Sequence, residues 1–162
     1  MDIGQLTERL MGMDDRTWAR HANPWSGWSR VTILPLLALT LWLRAGLGLW
    51  TWAALLGLVL WTWLNPRLFP EPRHLNGWMS RGVLGERIWL ARKTTPIPAH
   101  HARAALILNS VAAAGTIPLA LGLWRYEAGL ALAGLALTMG GKLWFLDRMV
   151  WLLADTQNSH RC

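Results

Sequence analysis

From Gly46 to Leu64 the chain reads GLGLWTWAALLGLVLWTWL, 19 residues without a charge. Roughly 20 consecutive apolar residues carry a helix across a bilayer. AALILNSVAAAGTIPLALGLW, Ala104 to Trp124, is uncharged over 21 residues, with Asn109 its one strongly polar side chain. AGLALAGLALTMGG, Ala128 to Gly141, continues into KLWFLDRMVWLLA. VTILPLLALTLWL, Val31 to Leu43, holds only 13 residues, but its approach from Trp25 is interrupted by Arg30 alone. These runs predict an all-α polytopic membrane protein, a single domain over 1–162. Its four membrane helices, 25–43, 46–64, 104–124 and 128–153, form two hairpins.

Charge supports this independently. Arg9, Arg16, Arg20 and Arg30 precede or enter the first span, and Arg44 alone separates it from the second. Seven basic residues (Arg67, Arg73, Arg81, Arg87, Arg92, Lys93, Arg103) lie between the second and third spans, and Arg125 alone between the third and fourth. Lys142, Arg148 and Arg161 follow. That alternation predicts a multi-pass protein of a prokaryotic inner membrane with both termini cytoplasmic. A net charge of +7 would otherwise fit nucleic acid. With 14 of 16 basic residues on one side, anionic lipid of the cytoplasmic leaflet is the more economical partner. A membrane protein partner or a second copy is the other expected one, and nucleic acid is not expected. The first 24 residues are polar and hold four acidic groups, so no signal peptide is predicted. The single Cys162 allows no internal disulfide.

Ile3, Leu6, Leu10 and Met13 recur at helical spacing, and Asp14-Asp15 restart a second short helix on which Trp18 faces the membrane. Residues 1–22 are therefore expected to be interfacial helices. HANPWSGWSR, residues 21–30, enters the first span. Asn23 caps it, Pro24 fits its first turn, and Trp25 and Trp28 join an aromatic belt. A second Asn-Pro, in WTWLNPRLFPEPR, brings the second span back to the same level; Pro66, Pro70 and Pro72 should end that helix. Asn65 is expected to satisfy backbone carbonyls or to meet Asn23.

In the fourth span Gly129, Ala133, Ala136, Gly140, Trp144, Asp147 and Trp151 share one face at 100° per residue. Small residues at one end predict close packing, which would aim Asp147 into the bundle and leave Lys142 on the opposite side. Residues 75–93 read as an interfacial helix with Trp78, Arg81, Gly85, Trp89 and Arg92 on one face and Glu86 beside it. The expected polar cluster holds His21, Asn23, Trp25, Asn65, Glu71, Arg81, Glu86, Trp89, Arg92, Asn109, Trp144, Asp147, Arg148 and Trp151. Glu86 and Asp147 would pair with Arg81, Arg92 or Arg148, either as structural ion pairs or as part of a pocket. His100 and His101 are adjacent, which sends their rings to different helix faces. Neither H-x-x-x-H nor C-x-x-C occurs, so no metal is assigned and the cofactor is unknown.

The stretches RHANPWSGWSR, LNPRLFPEP, RGVLGERIW and KLWFLDRMVWL, spread from Trp18 to Leu153, resemble a family of small Trp-rich integral membrane proteins of halophilic archaea and bacteria. That resemblance implies that the four stretches act together; it implies no activity. The function expected is an accessory or binding component with a Trp/Arg/acid site at the cytoplasmic interface. The alternative is a small membrane-embedded enzyme acting on a lipid-soluble or headgroup substrate. Glu86, Asp147 and His21 are then its acid–base candidates.

Overall fold

The computed structural model describes residues 15–159, and every regular element among them is helical. In chain order these are α1 (Asp15–His21), α2 (Pro24–Val31), α3 (Ile33–Trp42), α4 (Arg44–Leu47) and α5 (Trp50–Leu68). There follow α6 (Trp78–Leu90) with a 3-10 turn at Ala91–Lys93, α7 (Ala99–Arg125) and α8 (Ala128–Ser159). The expected helix on Ile3, Leu6, Leu10 and Met13 lies outside the described residues, as does Cys162.

Two of these helices, α7 and α8, are long and apolar enough to cross a bilayer. At 1.5 Å per residue they measure about 40 and 48 Å. The first expected span is not one helix. Pro35 has no N–H and its ring crowds the Val31 carbonyl, so the helix resets at Thr32. A further break at Leu43 leaves α4 as a single turn that ends at Gly48, φ +51. The second expected span appears as α5, shifted toward the C-terminus. Pro66 does not end it but sits buried inside its last turn. The chain leaves the helix at Phe69, whose extended backbone is what the following Pro70 imposes.

The α7–α8 hairpin turns at Tyr126, a left-handed residue at φ 57, where the Glu127 amide donates to the Gly122 carbonyl at 2.9 Å. Below the turn the two backbones touch. A Cβ on Gly134 would stand 2.1 Å from the Leu119 backbone nitrogen, and one on Gly122 2.3 Å from that of Ala131. Gly115 and Gly141 also pack closely, with a Cβ standing 2.7 Å from the Thr138 nitrogen and 2.8 Å from that of Ala112. The stripe that packs is thus Ala131, Gly134, Thr138 and Gly141, continuing into buried Phe145, Met149 and Leu152. This corrects the expected face. Gly129 and Gly140 have open space where a Cβ would go, and Trp144 and Trp151 are 62% and 57% exposed. Both stripes obey helical periodicity, and spacing alone does not choose between them.

Helix α6 docks on α8 through Gly85, where a Cβ would overlap the Met149 carbonyl oxygen, and buries Met79 in the same core. Trp18, expected on the membrane, is instead buried with Ala22 and Val83 between α1 and α6. At the far end Arg44 ties the turn between α3 and α5 to the end of α7. Its Nη1 donates to the Leu41 and Leu123 carbonyls, both at 2.7 Å, and Nη2 to the Trp124 carbonyl at 3.1 Å. The guanidinium lies 4.0 Å over the Tyr126 ring. A cation on the last carbonyls of α7 also meets the negative end of its dipole. The two turns therefore lie side by side at one end, and α1, α6 and the Asn-Pro stretches gather at the other.

Candidate functional site

Both Asn-Pro stretches reach the same place by different contacts. Asn23 Oδ1 accepts from the Trp25 amide at 2.9 Å, capping α2, and its Nδ2 donates to the Pro70 carbonyl at 2.9 Å. Asn65 is fully buried and does not meet Asn23. It accepts from the Ser26 hydroxyl at 2.6 Å and donates to the Ser29 hydroxyl at 2.7 Å. Arg20 adds a bond to the Arg67 carbonyl at 3.2 Å. These bonds fix α2 against the end of α5 and set the position of the next turn, which carries Arg30.

Arg30 faces a cavity of about 340 Å³ between α2, α3, α6 and α8. Its polar end is His21, Arg30, Glu86 and Lys142; Val31, Leu34, Met79, Val83, Leu143 and Leu146 are among its apolar walls. Lys142 Nζ donates to Glu86 Oε1 at 2.9 Å and lies 4.5 Å from the Phe145 ring centroid. Lys142 is therefore not on the far side of α8, because the packing stripe is rotated from the expected one. The Arg30 guanidinium donates to the His21 imidazole, and its Nη2 donates to the His21 carbonyl at 3.0 Å. Burial, then the positive charges of Arg30 and Lys142, push the His21 imidazole down to about 3, so it is neutral. Two cations against one carboxylate leave the polar end net positive.

The other expected residues divide. Asp147 is half-buried and accepts from Trp78 Nε1 at 2.9 Å, while Trp78 stacks on Trp28 with centroids 5.9 Å apart. Glu86 and Asp147 thus take Lys142 and Trp78 where Arg81, Arg92 or Arg148 were expected. Arg92 lies 4.0 Å over Trp89, whose edge meets Phe145. Arg81 is half-buried on α6 outside the cavity lining, and Glu71 is exposed. Asn109 Nδ2 donates within α7 to the Ala105 carbonyl at 2.9 Å and does not join the cluster. Trp144 and Arg148 line a separate groove between α7 and α8; Trp25 and Trp151 are exposed. The expected separation of His100 and His101 also fails: their ring centroids are 4.1 Å apart.

Two residues of the cavity, Arg30 and Lys142, were not expected there; both read as cations reaching headgroups. A signal existed for one. Lys142 is one of two lysines beside 14 arginines and stands inside an otherwise uncharged stretch that runs from Ala128 to Leu146.

The chain matches the model of a family of unknown function, DUF6653, over residues 3–161, and it belongs to that family. No curated protein and no solved structure matches it.

Proposed function

We propose that this protein is a multi-pass membrane component, with both termini cytoplasmic, that binds an anionic amphiphile in the cavity between α2, α3, α6 and α8. The membrane part rests on exposed apolar surface. Trp50, Trp52, Leu56, Val59 and Leu60 on α5, and Leu106, Ile107 and Ile117 on α7, all face outward. Soluble monomers rarely leave contiguous apolar patches of more than a few hundred Å². In a bilayer the broken α2–α4 and α5 form the first hairpin and α7–α8 the second, so the four-span arrangement is kept with an interrupted first span.

The observation that carries the binding role is the cavity's division into a cationic end and an apolar body. Arg30 and Lys142 supply donors for a phosphate or carboxylate, and the Leu, Val and Met walls suit an acyl chain. The enzymatic alternative gains nothing from His21: a base near 3 does not collect protons at neutral pH. Native mass spectrometry of protein released gently from its membrane tests the proposal. One anionic lipid or lipid-like molecule per chain is expected, and Lys142→Gln should lose it while keeping the fold. Recovery of wild-type protein with only mixed phospholipid, or undiminished retention in Lys142→Gln, overturns the binding role.

A further inference from the structure

We propose that His100, His101 and Asp155 form a site for one divalent transition-metal ion, zinc being the best suited. The three come from the start of α7 and the last turns of α8, which the glycine-tight hairpin holds in register. Their ligand atoms all lie within 4.8 Å of one another. His101 Nε2 is 2.9 Å and His100 Nε2 3.9 Å from the same Asp155 oxygen, Oδ2. Tetrahedral zinc with ligands at about 2.0–2.2 Å sets them roughly 3.3 Å apart. The His101–Asp155 distance must lengthen slightly while His100 closes on both partners, and His100 has the freedom to move, its side chain being 67% exposed.

A second observation separates this trio from an ordinary surface cluster. His101 is a buried side chain at a helix start, and its Nδ1 has no hydrogen-bond partner among the described residues. The nitrogen placed to ligate is Nε2, which faces Asp155; Nδ1 points away from the trio and would carry the ring proton. The neighbouring His100 ring is turned to the same carboxylate, which a mere clamp between helices does not need. Imidazole and carboxylate together suit zinc and its first-row neighbours better than calcium or magnesium, which prefer all-oxygen sites. With Asp155 47% exposed, the fourth position opens to solvent. Three protein ligands and one open position are the coordination of an exchangeable or reactive zinc. The cavity of Arg30 and Lys142 shares none of these residues.

The test is zinc titration by calorimetry of the full chain in detergent after chelator treatment. It is run in a His160→Ala, Cys162→Ser background so that the terminal His and Cys supply no ligand. Cobalt(II) absorption provides a second readout. One zinc per chain is expected, with a tetrahedral cobalt spectrum. His100→Ala, which touches an exposed side chain only, should weaken binding at least about tenfold. Asp155→Asn, which retains an acceptor for His101, should weaken it similarly while thermal stability stays close to the parent. Absence of saturable zinc uptake, or unchanged binding in folded His100→Ala, overturns the site.

Discussion

One methyl group distinguishes the two glycine stripes of α8. Gly134→Ala places a carbon on the Leu119 backbone, so the hairpin must shift, at a cost of about 1–3 kcal/mol. Gly140→Ala meets open space and should gain up to about 1 kcal/mol of helix propensity. Thermal unfolding of the two variants in detergent should move in opposite directions; the reverse order would return the packing face to Gly129, Ala133, Ala136 and Gly140. His21 makes a second prediction at this scale. Its native value near 3 lies below the ordinary 6.5 of an unfolded chain. Between those values the unfolded chain binds a proton that the native protein refuses. Stability therefore falls as pH drops through that window, by at most about 1.4 kcal/mol per unit. His21→Gln should flatten the slope between pH 6.5 and 4, measured by denaturant titration.

The elements depend on a few joints. Arg44 makes three bonds to carbonyls, two of them at the end of α7, and covers Tyr126. Arg44→Ala should cost about 2 kcal/mol. Arg44→Lys should recover little of it, since a lysine lacks the planar fork. A wild-type melting temperature in Arg44→Ala would show that the two turns do not need this tie. Helices α7 and α8 were legible from long uncharged runs, and α6 from the shared helical face of Trp78, Arg81, Gly85 and Trp89. The break at Thr32 was not, because Pro35 acts on a carbonyl four residues earlier, inside what reads as one apolar run. The partners of Glu86 and Asp147 were misassigned for a single reason: they depend on the rotation of α8, and two stripes of small residues compete to define it.

At the scale of the whole molecule, the side-by-side turns predict a labelling pattern. In a Cys162→Ser background, Leu49→Cys or Glu127→Cys should react with an impermeant maleimide in intact cells, and Asn76→Cys only after permeabilisation. The reverse pattern would invert the proposed orientation, and labelling of Leu49→Cys and Glu127→Cys from opposite sides would dismantle the two hairpins. The convergence of HANPWSGWSR with LNPRLFPEP could be read from the common level at which the two Asn-Pro pairs were expected; the serine pair that joins them to Asn65 could not, because no local signature marks Ser26 and Ser29. Arg44 also imposes an order on biogenesis. Its acceptor on Leu123 is 79 residues further along the chain. At ribosomal rates of about 5–20 residues per second, that acceptor is synthesised on the order of 4–16 s later. Through that interval the first hairpin carries a guanidinium whose partners on α7 do not yet exist. A nascent chain that ends before Leu123 leaves the guanidinium with the Leu41 carbonyl alone, so the tie between the two turns closes only once α7 is complete.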